Sequence, residues 1–228
     1  MELLRCENLT KIYGQGINQT VALNHVSFSV EKGEFVSIIG PSGSGKSTLL
    51  HLIGGVDRPS EGKVMVGGED IYGLSENKLA IFRRRYIGLV YQFYNLIPVL
   101  NVEENIVLPH LLDGRKMDEE RLDQIVDYLG LSDRRDDLPS ELSGGQQQRV
   151  SIGRALFTHP SLLLCDEPTG NLDRKSSEDI VQLLREANRT MRQTLILITH
   201  DEKIALQSDR MIYIEDGRIV SDERIQKA

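Results

Sequence analysis

Phe35-Val36-Ser37-Ile38-Ile39-Gly40-Pro41-Ser42-Gly43-Ser44-Gly45-Lys46-Ser47-Thr48-Leu49-Leu50-His51-Leu52-Ile53 decides the architecture of this chain. Phe35 to Ile39 is a short apolar run, the length of a buried strand. Gly40 to Ser47 matches G-x-x-x-x-G-K-[ST] at every fixed position, and Ser47 to Ile53 reads as a helix. Strand, glycine-rich loop and helix is the context that a phosphate-binding loop requires. Glycine lets backbone N–H groups crowd around phosphate oxygens without a Cβ in the way. The helix that follows points its positive end at the same anion. The motif therefore predicts that Gly40, Pro41, Ser42, Gly43, Ser44, Gly45, Lys46, Ser47 and Thr48 bind a nucleotide. Within it Lys46 reaches the β- and γ-phosphates and the Ser47 hydroxyl faces Mg²⁺.

Outward from this loop, the pattern is that of an α/β protein. Val26-Ser27-Phe28-Ser29-Val30 alternates as a half-buried strand does. Leu162-Leu163-Leu164-Cys165 and Thr194-Leu195-Ile196-Leu197-Ile198 look buried on both faces. A helix between them implies parallel strands joined by a crossover. That helix carries Ile180, Leu183, Leu184 and Ala187 on one stripe, with Ser176 and Asp179 as its expected N-terminal cap. An earlier helix carries Leu122, Ile125, Val126 and Leu129, and Gly130 is placed to end it. Asp216-Gly217 between Met211–Ile214 and Arg218–Val220 predicts a hairpin. The expected fold is a mainly parallel core sheet with antiparallel additions at its edge.

The apolar run from Leu162 ends at Asp166, followed by Glu167 and Pro168. A carboxylate at a strand tip beside a phosphate loop can hold Mg²⁺, and the next one can face the water that attacks the γ-phosphate. Leu142-Ser143-Gly144-Gly145-Gln146 precedes another helical segment and offers a hydroxyl and glycine amides at a helix N-terminus, a second anion site.

The bulk properties narrow the class. The chain has 228 residues, enough for one domain of about 200 residues with a sizeable core. Acids outnumber bases 34 to 27, for a net charge of −7, which makes it a poor generic binder of nucleic acid. The densest basic run, Arg83-Arg84-Arg85, reads as solvated or locally paired surface. Cys6 and Cys165 have no partner at metal-ligand spacing and form no disulfide framework, which points to a reducing compartment. The N-terminal residues do not read as a signal peptide. No segment approaches the ~18 apolar residues that span a bilayer, so any membrane-spanning part is expected on another chain.

Taken in order, these segments resemble the ATP-binding subunit of ABC transporters, and the resemblance runs over nearly the whole chain. Leu142–Gln146, followed by Gln147-Gln148-Arg149, is similar to the family's signature sequence. The resemblance implies that Ser143, Gly144, Gly145 and Gln146 close on ATP held by a second subunit. It implies that Tyr13 stacks on adenine and that Gln92 contacts metal and water. It further implies that Asn171-Leu172-Asp173 communicates across a dimer and that His200 contacts the γ-phosphate. The catalytic set would be Glu167, His200, Lys46 and Gln92, with Ser47, Gln92 and Asp166 at the metal. Residues about 93–150 would form a helical subdomain that receives a membrane permease, with Phe93, Tyr94, Leu96 and Ile97 as apolar anchors. ATP and Mg²⁺, a second copy of the chain and a permease at the cytoplasmic face of the cell membrane are the implied cofactors and partners.

Ile87–Phe93, Asn95–Pro98, Glu104–Ile106 and Glu167–Asp173 are similar to one branch, the lipoprotein-release, macrolide-exporter and antimicrobial-peptide-exporter ATPases. The same branch includes a cell-division ATPase that partners a membrane protein to regulate cell-wall hydrolysis, which is the competing function. A plain phosphate-loop kinase would lack the Leu142–Gln146 segment.

Overall fold

The structure of the protein is a computed structural model that describes residues 1–225. In chain order the elements are β1 (Glu2–Tyr13), β2 (Thr20–Glu31), β3 (Phe35–Ile39), α1 (Lys46–Ile53), β4 (Glu61–Val66), β5 (Glu69–Asp70), α2 (Glu76–Tyr86) and β6 (Ile87–Tyr91). There follow α3 (Val102–Leu112), α4 (Glu119–Tyr128), α5 (Gly144–Phe157), β7 (Leu162–Asp166), α6 (Arg174–Met191), β8 (Thr194–Ile198), α7 (Glu202–Ala205), β9 (Arg210–Glu215) and β10 (Arg218–Arg224).

The strands form a six-stranded sheet of order β10-β9-β3-β8-β7-β6 and a four-stranded sheet of order β2-β1-β4-β5. In the larger sheet β6, β7, β8, β3 and β9 run parallel, and only β10 is antiparallel to its neighbour. The antiparallel component is thus larger than an edge: β10 is the edge addition, while β1, β2, β4 and β5 make a sheet of their own.

The central strands alternate between two cores. Val36 and Ile38, Leu162 and Leu164, and Ile196 and Ile198 face the core shared with α1 and the four-stranded sheet. Phe35, Leu163 and Cys165, and Leu195 and Leu197 face the core built with α3, α4, α5 and α6. Burial on both faces is what a continuous apolar strand requires, and it follows from helical crossovers that cover a parallel sheet. Both cysteines are free and buried, and burial pushes their thiols well up.

Local chemistry sets the helix ends. The stripe Leu122, Ile125, Val126 is buried in α4, and Gly130 sits at φ +65, the left-handed turn that ends a helix. The cap of α6 differs from expectation. Asp173, not Ser176 with Asp179, caps it: the Asp173 carboxylate accepts the Ser176 N–H at 3.0 Å and the Ser176 hydroxyl at 2.6 Å. An acceptor three residues ahead of an orphan N–H satisfies it best, so the helix begins at Arg174. The Arg83–Arg85 run is locally paired, as its composition suggests. Arg84 and Arg85 both bind Asp113, and Arg83 donates to the Gly55 carbonyl at 2.7 Å. Among the described residues no helix is long and apolar enough to cross a membrane.

Candidate functional site

A parallel sheet gathers the loops at the C-terminal ends of its strands in one place. Here β3 leads into Gly40–Lys46, β6 into Gln92, β7 into Asp166 and Glu167, and β8 into Thr199 and His200. The register aligns these exits, since Tyr91 pairs with Asp166 and Asp166 with Ile198. Residues spread over 160 positions of sequence thereby meet at one edge.

The phosphate loop needs glycine at two positions in particular. Gly40 has φ +148, and a Cβ there would lie 2.0 Å from the Ile214 carbonyl oxygen. Gly45 has φ +101, and a Cβ there would lie 2.3 Å from the Ala22 carbonyl oxygen. The expected hairpin supports this loop from behind: Gly217 N–H donates to the Ser44 carbonyl at 3.0 Å, while its own carbonyl accepts from Asn24 N–H at 2.8 Å. The Lys46 ammonium lies inside the loop and donates to the Gly40 and Pro41 carbonyls at 2.9 and 2.7 Å. Burial lowers its pKa, and the Glu167 and Asp166 carboxylates oppose that shift.

The Ser47 hydroxyl donates to Asp166 Oδ1 at 3.1 Å. Burial raises the Asp166 carboxyl above its ordinary range, against the Ser47 hydrogen bond and the charge of His51. Glu167 adopts φ +45, a left-handed conformation that costs a non-glycine residue about 1–2 kcal/mol. Its N–H donates to the Ile198 carbonyl at 3.0 Å, and Gly170 N–H closes the turn on the Glu167 carbonyl at 3.0 Å. This turn takes the carboxylate out of the strand and beside His200, whose Nδ1 is 3.2 Å from Glu167 Oε2. A carboxylate only accepts, so the imidazole carries its hydrogen on Nδ1.

Ser143 caps α5 in a reciprocal box. Its Oγ accepts the Gln146 N–H at 3.3 Å, and Gln146 Oε1 accepts the Ser143 N–H at 2.8 Å. The Ser143 O–H and the first amides of the helix stay available to an anion, whereas Gln146 is engaged as a cap. A Cβ at Gly144 would lie 2.7 Å from the Tyr94 hydroxyl, which would have to move aside. Among the described residues, no hydrogen bond or ion pair joins Ser143–Gln146 to the phosphate loop of the same chain.

Tyr13 ends β1 and is 41% exposed. Its hydroxyl donates to Asp57 Oδ2 at 2.8 Å, and Lys11 Nζ lies 4.8 Å over the ring while binding Asp57 Oδ1 at 2.7 Å. Asp57 is therefore the anchor of this ring, and no sequence signal pointed to it.

Of the expected apolar anchors, Phe93 and Ile97 are exposed, whereas Leu96 packs against the core around α3–α6. Arg154 on α5 donates to the Tyr94 and Asn95 carbonyls at 2.9 and 2.7 Å, and Gln148 to the Tyr91 carbonyl at 3.2 Å. The Ser143 helix thus grips both ends of the segment that follows β6.

Fold and site together define an ATP-binding cassette. The sequence profile of the ABC transporter family matches residues 23–170, and the chain belongs to that family. It is an ATP-binding, ATP-hydrolysing subunit. It is 44% identical over 220 residues to the lipoprotein-releasing system ATP-binding protein LolD of Colwellia psychrerythraea, covering 96% of this chain and 85% of that one. It is 43% identical over 222 residues to the LolD protein of Geobacter metallireducens, covering 96% and 99%. Among solved structures it is similar to the dimeric post-hydrolysis ATP-binding cassette MJ0796 bound to ADP and Pi. That match has a TM-score of 0.90 and 40% identity, over 99% of this chain and 100% of that one.

Proposed function

We propose that this chain is the ATPase of a lipoprotein-releasing type of transporter, which draws a lipid-anchored protein out of the membrane through a separate permease. The observation that carries this is the 44% and 43% identity to LolD proteins over 96% of the chain. The cell-division function has no comparable support. Reconstitution with its permease in lipid vesicles tests the substrate class. ATP-dependent release of an acylated protein is the expected result, and release of small amphiphiles without release of the acylated protein would overturn it.

The unit of catalysis is a head-to-tail pair of chains at the cytoplasmic face of the membrane. In support, the phosphate loop and the Ser143 helix each present backbone amides at a helix N-terminus, no hydrogen bond joins the two among the described residues, and the MJ0796 cassette is dimeric. ATP enters with its phosphates in the Gly40–Thr48 loop, where backbone amides, the α1 N-terminus and Lys46 offset their charge. The Ser143 hydroxyl and the Gly144 and Gly145 amides of the partner chain cover the γ-phosphate. Glu167 takes up the proton of the attacking water, and His200 Nδ1–H holds the carboxylate in place. A neutral imidazole with its hydrogen on Nδ1 offers only an acceptor at Nε2. A second donor, at Nε2, is what His200 would need in order to reach the γ-phosphate as well.

The residues present fit Mg²⁺. Ser47 Oγ, Asp166 Oδ1 and the Gln92 side-chain oxygen are all hard oxygen donors, the kind this cation takes. When bound, the ion neutralises phosphate charge.

Adenine stacks on Tyr13, which Asp57 and Lys11 hold in place. Tyr13→Ala is expected to weaken ATP binding at least about fivefold, since stacking on a base is worth about 1–3 kcal/mol. Tyr13→Phe keeps the ring but loses the Asp57 anchor, so a loss within about threefold is expected. Equilibrium titration with a fluorescent ATP analogue checks both, and equal affinities of the Ala variant and wild type would remove Tyr13 from the base.

The permease docks beside the segment after Gln92. Phe93 is 69% and Val99 78% exposed, and large apolar side chains at that exposure offer contact area without supporting the core. Phe93→Glu with Ile97→Glu is expected to leave ATP hydrolysis by the isolated chain within about twofold and to abolish co-purification with the permease. Undiminished co-purification would exclude this segment from the interface.

A further inference from the structure

The side chains of Gln92 and Asn171 are tied to each other twice. Gln92 Nε2 donates to Asn171 Oδ1 at 3.1 Å, and Asn171 Nδ2 donates to the Gln92 backbone carbonyl at 3.2 Å. The two bonds together settle the orientation of both amides. A backbone carbonyl only accepts, so Asn171 must turn its NH₂ toward it. Asn171 Oδ1 is then left on the other side, and it too only accepts. Gln92 must therefore present its NH₂ to Asn171 and keep Oε1 free.

A side-chain amide binds a hard cation only through its oxygen. An unrestrained glutamine amide can present either end, and its rotation is soft. Gly170 adds a second restraint, since it packs beneath the same amide: a Cβ at Gly170 would lie 2.7 Å from Gln92 Nε2.

We propose that Asn171 is a positioning residue for the cation site: by engaging Gln92 Nε2 it turns Gln92 Oε1, and not the amide nitrogen, toward the metal of the nucleotide. This deepens the proposed function and rests on its placing Gln92 at the metal. It assigns Asn171 a task within its own chain. It also joins the segment after β6 to the turn that follows Glu167.

The test is a double-mutant cycle read by Mn²⁺ binding, which needs no turnover. Protein in excess over a non-hydrolysable ATP analogue is titrated with Mn²⁺, and free Mn²⁺ is followed by electron paramagnetic resonance. Gln92→Ala is expected to weaken Mn²⁺ binding. Asn171→Ala is expected to weaken it about tenfold, the usual size of a loss of support behind a metal ligand, with binding of the metal-free analogue unchanged. Added to Gln92→Ala, Asn171→Ala should cost nothing more, because it acts through Gln92. Gly170→Ala is a second, independent variant. Its added methyl meets the Gln92 side chain, 2.7 Å from Nε2 and 3.2 Å from Cγ, and no backbone atom comes as near, so the amide is displaced while the fold is expected to hold, and Mn²⁺ binding should weaken again.

The outcomes are distinct. If Gln92→Ala leaves Mn²⁺ affinity unchanged, the placing of Gln92 at the metal fails. If Gln92→Ala weakens it but Asn171→Ala and Gly170→Ala do not, or if the Gln92 and Asn171 losses multiply independently, the positioning role of Asn171 is overturned.

Discussion

A Glu167→Gln protein binds ATP with near wild-type affinity, hydrolyses it about 10²–10⁴-fold more slowly, and accumulates as a dimer on size-exclusion chromatography with saturating ATP. The substitution keeps the size of the side chain and a carbonyl that still accepts from His200 Nδ1, now 3.2 Å away. It removes the carboxylate assigned to take the proton from the attacking water. The γ-phosphate, which the proposed site holds between the Gly40–Thr48 loop of one chain and the Ser143 helix of the other, is then cleaved only slowly, and the closed pair persists. Ser143→Arg should behave in the opposite way, binding ATP as a monomer because the long side chain fills the space that the partner's phosphate needs. Mixing the two variants separates chemistry from assembly. In the heterodimer one site carries both lesions and the other neither, so activity returns if one intact site suffices. A Glu167→Gln protein that stays monomeric at saturating ATP, with and without its permease, would refute the shared site.

Lys46→Ala lowers kcat/KM by at least about 10²–10³-fold, the scale of losing one oriented donor to the reacting phosphoryl group, and the effect on binding is large as well. No other side chain of the loop carries positive charge. Lys46 also ties the loop together, because its ammonium bridges the Gly40 and Pro41 carbonyls. Its loss therefore removes both the charge and a brace of the cradle. Steady-state hydrolysis with a thermal melt of the same sample checks this. Near-normal turnover by the folded variant would remove the loop from catalysis.

Much of the fold was legible because its signals are local. The phosphate loop lies within eight consecutive residues, and the central strands are continuous apolar runs that cannot be anything but buried. β1 was not legible, and the reason is visible in its burial. Leu4 and Cys6 face the core in the ordinary alternation, but Asn8 at φ +48 inserts a bulge and the next core residue is Leu9. One irregular residue shifts the period by one and hides a twelve-residue strand, and with it the four-stranded sheet. The cap of α6 was misplaced for a related reason: Ser176 and Asp173 are both good capping residues, and only the path of the chain decides which precedes the first turn.

The sequence by itself determined the parallel α/β core, the phosphate loop, the two adjacent carboxylates and the helix N-terminus at Ser143, because each is a contiguous pattern with a physical period or a steric requirement. Tertiary structure alone decided which distant groups act together. The register of β6, β7 and β8 brings the residues after each strand to one edge. Packing sets Asp57 on the Tyr13 hydroxyl across 44 positions and Asn171 on Gln92 across 79. Such bonds follow from where the strands and helices come to rest against one another, and an orientation-dependent contact between two turns leaves no periodicity in either segment.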